Sequence, residues 1–513
     1  MPVFSPVLLL SSINPKAMGE FIPEIASQFP NQKVFARKVR NDKASGRFMK
    51  IKFLGATHQV TGSSYFLEAV GVKILVDCGM FQERDYSYRN WEAFPVSPDQ
   101  IQYLLLTHVH QDHCGLIPKL VKEGFAGDIL MTPASKELFP IIVLDSARIQ
   151  EEDAAFKKRR HDEEGRKGPY PEIPLYTVQD AEKCFPLLKA VPYEEFLPLN
   201  DKVRVCFHDA GHILGSAMIE IVVQDENGSR NIIFSGDIGQ WDKPLLNNPS
   251  VFDRADYVVM ESTYGDRNHD NPQGIEDKLS RVINEAVKAG GNVIIPTFAI
   301  ERAQELLYYF SSLARERRIP YIVTFLDSPM AVEITKVFEQ SKKYFDEDTL
   351  ELFKDGRSPF DFPGLKLVDS VAGSKAINLI KGSTIIMAGS GMITGGRIKH
   401  HLVREIARSE STLLFVGYQA VGTLGRQISD GLSPVQILGQ SYPVRMRIEN
   451  VDGLSAHAGM SDLQRWLNNF KSPPKHVFLT HGEEGSILSL ENYLHSKGGW
   501  EVTAPAYLQE YDL

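Results

Sequence analysis

Cysteine is scarce, with only Cys78, Cys114, Cys184 and Cys206 among 513 residues. They form no CxxC pair and are too scattered for a disulfide framework, which points to a reducing compartment, the cytoplasm. Long apolar runs are missing too. Nothing approaches the roughly 18 residues that a membrane helix needs. The one apolar stretch near the start, Pro6-Val7-Leu8-Leu9-Leu10, is short, lacks a basic flank and precedes no convincing cleavage site, so it is not read as a signal peptide. No membrane partner is expected. The third absence is a basic surplus. Lys+Arg 56 against Asp+Glu 65 gives a net charge of −9, whereas a generic nucleic-acid binder carries excess positive charge. With 43% hydrophobic and 24% charged residues the composition is that of an ordinary globular protein. At about 150 residues per domain, two to four domains are expected.

Residues 1–48 stand apart, with seven Lys/Arg against three Asp/Glu and no sustained helix or strand pattern. We read them as an N-terminal extension, upstream of a start at Met49 and poorly ordered. From Met49 short apolar runs alternate with turn signals: 50–54, 65–68, 73–76 and 103–106 read as strands. Helices are expected at 116–123 and 136–152, and the charged stretch 156–170 reads as a solvated loop. After Glu261 amphipathic helices (273–289, 300–314) alternate with apolar strands (292–295, 321–323, 384–387, 412–415), an α/β pattern with a buried parallel sheet. The end returns to strand (476–479), helix (484–494) and strand.

The strongest chemical signal is Thr107-His108-Val109-His110-Gln111-Asp112-His113, directly after an apolar strand. In an extended chain i and i+2 point the same way, so His108 and His110 can reach one ion, and Asp112 and His113 can face a second after the chain turns. Imidazoles with a carboxylate suit zinc. Asp77, His212 and Asp237 each follow an apolar strand as well, where residues from different strands can assemble one site.

The set Asp77, His108-x-His110-x-Asp112-His113, His212 and Asp237 resembles the four signature motifs of the metallo-β-lactamase fold. That resemblance implies an αββα sandwich with two zinc ions at one edge of its sheets. It implies that His108, His110 and His212 hold the first ion and Asp112 and His113 the second. Asp237 would bridge them and Asp77 would support the site from behind.

Three later motifs narrow the branch. Glu261-Ser262-Thr263-Tyr264-Gly265, Ser455-Ala456-His457 and Thr480-His481-Gly482 resemble motifs A, B and C of the β-CASP nucleases. PTFAIERAQELL (296–307) and GSGMITGGRIKHHL (389–402) are similar to stretches of that family. The resemblance covers residues 49–513. It is to bacterial and archaeal relatives of the endonuclease subunit of the pre-mRNA cleavage and polyadenylation factor. It implies an α/β fold in which an α/β β-CASP cap (266–455) is inserted into the sandwich, formed by 49–265 and completed by 456–513.

RNA-processing members carry histidine in motif C, so His481 implies an RNA substrate and a further ligand for the second zinc. The expected function is a zinc-dependent ribonuclease acting in RNA processing or decay. A hydroxide activated by two metals would attack the phosphodiester, Asp237 would orient it, and His457, kept protonated by Glu261, would serve the leaving oxygen. Other zinc hydrolases of the fold (thioesterase or lactonase types), a DNA nuclease and a non-catalytic RNA scaffold are the alternatives. Endo- or exonuclease action and oligomeric state, a homodimer included, stay open.

The acidity is unevenly spread. Residues 1–48 sum to 7 − 3 = +4, the cap 266–455 to 0, and the body therefore to −13. Within the cap, 381–450 hold eight basic residues against four acidic ones. Nucleic acid responds to local field, so RNA is expected in a cleft between body and cap. Arg397, Lys399 and Arg426 would line it. Arg302, early on its helix, and the backbone at Ser390 and Gly391 are further candidates for phosphate contact.

Overall fold

The computed structural model describes residues 49–168, 170–226, 228–269, 274–417, 419–420, 422–451 and 453–513. The extension 1–48 lies outside the described residues.

Two seven-stranded sheets face each other. The first runs Glu510–Asp512, Met49–Phe53, Tyr65–Ala69, Val72–Val76, Tyr103–Leu105, Asp128–Met131 and Leu188–Ala190. The second runs Val502–Thr503, His476–Thr480, Tyr257–Glu261, Gly228–Phe234, Ala217–Asp225, Val203–Asp209 and Leu197–Pro198. Alternation along the strands sends Ile51, Phe53, Leu67, Ile74 and Val76 of the first sheet against Phe207, Ile219, Ile221, Phe234 and Phe478 of the second. On the far side of the second sheet, Met460–Leu467 and Glu484–Lys497 cover Met218, Ile233, Val258 and Leu479. On the far side of the first, Ile117–Lys122 and Pro133–Glu164 cover Leu104, Ile129 and Met131. The result is an αββα sandwich, and the C-terminal stretch supplies strands to both sheets.

Between Glu261 and His457 the chain builds a third, wholly parallel sheet. Its order is Leu365–Val368, Val323–Asp327, Thr384–Ala388, Val293–Pro296, Thr412–Phe415 and Arg447–Asn450. Helices such as Ile275–Ala289, Arg302–Arg315 and Ile398–Glu405 pack on it. Its four inner strands are nearly all buried, because both faces are covered, whereas the edge strands Leu365–Val368 and Arg447–Asn450 are partly exposed.

One expectation fails. The stretch 156–170 is not a loop along most of its length. A single 32-residue helix, Pro133–Glu164, runs through it and stops at Gly165 in the left-handed region. The charges there mark exposure rather than loss of helix, and the Arg160–Glu164 pair at 2.8 Å sits at helical spacing. All four cysteines are buried free thiols. Among the described residues, no helix is long and apolar enough to cross a membrane.

Candidate metal centre

Six strand ends converge at one edge of the sandwich. Val72–Val76 delivers Asp77, and Tyr103–Leu105 delivers His108, with His110 at the start of the short helix Gln111–Cys114 that carries Asp112 and His113. From the second sheet, Val203–Asp209 leads to His212, Gly228–Phe234 to Asp237, Tyr257–Glu261 ends on Glu261, and His476–Thr480 leads to His481. Asp77 and His481 leave their strands at φ 58° and 49°, a region Asp and His enter more readily than most residues. The loops that carry His212 and Asp237 touch at Gly239, where a Cβ would lie 1.8 Å from the Gly211 carbonyl oxygen.

The ligand atoms fall into two groups that share Asp237. In the first, His108 Nε2 lies 3.0 Å and His212 Nε2 3.2 Å from His110 Nδ1. The same His108 and His212 nitrogens stand 3.4 and 3.5 Å from Asp237 Oδ2. In the second, His113 Nε2 and His481 Nε2 stand 3.2 and 3.6 Å from Asp237 Oδ1, and His481 Nε2 is 3.5 Å from Asp112 Oδ2. Each carboxylate oxygen of Asp237 thus faces its own cluster.

Burial and close neighbours set the charge of each group. Burial, with His113 adding to it, lowers His108 to about 3, and burial lowers His110 to about 4 against the pull of Asp112 and Asp237. Burial and His457 hold His212 well below the ordinary imidazole range. Neutral rings at these positions can offer lone pairs to a cation. Burial works against His113, yet Asp237 and Asp77 hold it well above that range. Burial would raise Asp237, but His113, His481 and His457 outweigh it and keep its carboxyl well below the ordinary range. Both oxygens of Asp237 and Nε2 of His481 are buried without a hydrogen-bond partner. A buried carboxylate without donors is costly, and divalent ions between the two clusters would satisfy every one of these atoms. Three His with a shared carboxylate, and two His with two carboxylates, are zinc donor sets.

The surroundings fix the ligands. Asp77 takes His113 Nδ1 at 2.7 Å and accepts from the Thr107 amide and hydroxyl, both at 2.8 Å. Thr263 Oγ1 meets His481 Nδ1 at 2.9 Å. Such partners orient metal-binding imidazoles. Beside Asp237, His457 Nδ1 lies 3.1 Å from Glu261 Oε2, and Glu261 Oε1 accepts the Ile238 amide. Burial would lower His457, but Glu261 and Asp237 raise it to about 9.

Comparison with known proteins agrees with this geometry. Residues 59–297 match the metallo-beta-lactamase superfamily, 303–428 the Beta-Casp domain, and 441–505 the Zn-dependent metallo-hydrolase RNA specificity domain. The chain is 36% identical over 450 residues to a Thermus thermophilus protein named ribonuclease TTHA0252, covering 88% of this chain and 97% of that one. The chain belongs to the β-CASP ribonuclease family. It is also 31% identical over 492 residues to a protein named transcription termination factor FttA from Methanosarcina mazei, covering 93% of this chain and 74% of that one. A crystal structure of a protein of unknown function from Enterococcus faecalis V583 shares the fold alone, at 12% identity and a TM-score of 0.51, covering 91% of this chain and 100% of that one.

As a β-CASP protein the chain is a metal-dependent hydrolase, and the fold brings Asp77, His108, His110, Asp112, His113, His212, Asp237, Glu261, His457 and His481 to one place. The candidates in the β-CASP cap are differently placed. Arg397 gives its guanidinium to Asp327 at 2.7 Å and to the Asp369 carbonyl at 2.7 Å. Arg302 is buried and donates to Glu305 at 3.0 Å. Lys399 reaches the Thr394 carbonyl at 2.6 Å, and Arg426 pairs with Asp430 at 2.8 Å. Ser390 Oγ accepts the amides of Thr394 and Gly395, closing its own loop, and a Cβ at Gly391 would strike the Phe298 ring at 2.7 Å. Sequence reading passed over Thr107 and Thr263. Their only signal is a hydroxyl beside a motif residue, and threonine is too common in strands for that to stand out.

Proposed function

We propose that this protein hydrolyses RNA at a dinuclear zinc centre, with the substrate lying between the metallo-β-lactamase body (49–265 and 456–513) and the β-CASP cap (266–455). The single observation that carries the reading is Asp237: two buried oxygens, each without a hydrogen-bond partner, each facing a separate set of imidazoles. His108, His110, His212 and Asp237 would hold one zinc, and Asp112, His113, His481 and Asp237 the other. A zinc pair brings a water to reactivity near neutral pH and offsets charge on the phosphate.

The chain's own residues then divide the work. Asp237 and Asp112 accept hydrogen bonds from the attacking water and keep it in line with phosphorus. Asp77 and Thr263 hold the ligand rings from behind. The attacking water gives up one proton to solvent as its oxygen bonds to phosphorus; as the P–O ester bond breaks, His457 Nε2–H supplies a proton to the departing oxygen, while Glu261 fixes the ring through Nδ1. His457→Ala should slow RNA cleavage by about 10²–10⁴-fold, the usual worth of such a group, while zinc content stays unchanged. A variant that loses zinc would contradict this role.

On the cap side, Lys399 and Arg426 lie at the surface, whereas Arg302 and Arg397 spend their charge inside the fold. Phosphate contacts from the cap therefore rest on Lys399, Arg426 and the backbone near Ser390. The RNA-specificity match over 441–505 and the ribonuclease relative favour RNA over DNA. A time course of the zinc-loaded protein on 5′-labelled RNA and on DNA of the same sequence tests this. RNA fragments with intact DNA are expected; internal fragments mean endonuclease action and immediate mononucleotides a 5′ exonuclease. Hydrolysis of a thioester with both nucleic acids intact would overturn the reading.

A further inference from the structure

Three charged side chains, Glu301, Arg302 and Glu305, from the cap helix Arg302–Arg315 and the residue before it, are buried where the cap meets the body, and the mostly covered Lys243 of the body reaches them. Lys243 Nζ pairs with Glu305 Oε1 at 2.9 Å, and Glu305 Oε2 accepts from Arg302 at 3.0 Å. A buried group of two cations and two carboxylates adds little net stability compared with apolar packing, so its position needs another explanation.

The explanation lies in what else these side chains hold. Lys243 Nζ also donates to the Ser455 carbonyl at 2.8 Å, two residues before His457. Gln240 Nε2 donates to the same carbonyl at 2.6 Å. Just upstream, Gly239 pairs with His457 across an antiparallel bridge, and the Ala458 amide donates to the Ile238 carbonyl at 2.7 Å. Glu301 Oε2 accepts the Leu214 amide at 3.1 Å, two residues after His212. Glu301 itself sits at φ 63°, ψ −58°, with the Arg302 amide bonded to the Ile300 carbonyl at 2.8 Å. That is the strained form of the γ-turn, which persists only where its surroundings impose it.

We propose that Lys243 is a positioning residue for His457. Clamped by the cap's Glu305, its ammonium draws in the Ser455 carbonyl and sets the loop that aims His457 at the phosphodiester. The cap thereby does more than cover the substrate: it holds the proton donor of the body in place. This rests on the role given to His457 above.

The test compares two phosphodiesters on the zinc-loaded full chain. RNA departs as an alkoxide and needs a proton. Bis(4-nitrophenyl) phosphate releases 4-nitrophenolate, which leaves without one. Lys243→Met keeps the stem and removes the charge. We expect it to retain zinc and to lower kcat on RNA by about 10–100-fold with KM little changed, the scale of a small misplacement. The rate on bis(4-nitrophenyl) phosphate should stay within about threefold of wild type, and Lys243→Arg should restore most of the RNA rate. Glu305→Gln, which keeps the shape, should give the same split in weaker form and serves if Lys243→Met does not fold. Equal slowing of both substrates, a raised KM with kcat intact, loss of zinc, or an unchanged RNA rate would overturn the proposal. Wild-type protein that hydrolyses the nitrophenyl diester and no RNA would overturn the ribonuclease reading beneath it. A wild type active on RNA beside an unaffected variant would overturn the positioning role alone.

Discussion

Two aspartates, one in the body and one in the cap, are buried in contact with imidazole, and they differ in what they have left to do. In the cap, Asp327 is saturated. Arg397 and His401 Nε2 each reach it at 2.7 Å and the Ser374 hydroxyl donates at 2.6 Å. In the body, Asp237 accepts no hydrogen bond, and its imidazole neighbours stand back at 3.2–3.8 Å. Both side chains are buried, but Asp327 is met by an arginine, one histidine and a serine, and Asp237 by imidazoles alone. A saturated buried carboxylate holds a fold together, and an unsaturated one marks a place for a cation.

The sharpest way to break the contrast is to remove each carboxylate in turn. Asp237→Ala should abolish zinc retention and RNA cleavage together, a loss beyond the roughly 10²–10⁴-fold expected of a single proton donor. Metal analysis and a labelled-RNA assay check it, and the fold should survive. Asp327→Ala should do the reverse. Stranding Arg397 and His401 should cost about 3–5 kcal/mol in denaturant unfolding, while the folded fraction keeps its zinc.

The pH dependence of the Asp327 contribution follows from its shift. Burial would raise its carboxyl, but His401, Ser374 and Arg397 lower it below the ordinary range. Its contribution to stability is therefore complete above the unfolded value of about 4 and is lost only as pH falls through the lower folded value. Unfolding of wild type and Asp327→Ala should converge only at acid pH. A smaller effect separates ligands from their supports: Asp77→Asn should weaken zinc binding by about 10–100-fold without emptying the site. The smallest belongs to the surface. Arg426→Ala should change stability by less than about 1 kcal/mol, because its pair with Asp430 is exposed, and should lower RNA affinity only at low salt.

What was legible in the sequence follows the same division. The metal ligands sit in short local patterns at strand ends, so spacing brings His108 and His110 together and strand ends single out His212 and Asp237, while the resemblance supplied their roles and His481. The inner strands were legible as short apolar runs between turn residues, whereas polar edge strands such as Arg447–Asn450 and Glu510–Asp512 were not. The helix Pro133–Glu164 was half hidden, since its charged second half looks the same whether helical or not. The roles of Arg302 and Arg397 were hidden for a different reason. Arg397 meets Asp327, 70 residues away, and the buried group containing Arg302 is completed by Lys243 from the body. Neither pairing leaves a local trace, so a buried, committed arginine reads like a free one. The basic count over 381–450 pointed to a cleft lining, yet Arg397 is committed inside the fold, and Arg408 and Arg447 are paired with Glu405 and Glu285.

The most direct measurement is a crystal of the zinc-loaded protein with anomalous data on both sides of the zinc edge. Two peaks about 3.5–4 Å apart are expected, one on each side of the Asp237 carboxylate. The first should lie among His108, His110 and His212, and the second among Asp112, His113 and His481. A single peak, or zinc bound away from Asp237 with its oxygens still unpartnered, would contradict the account.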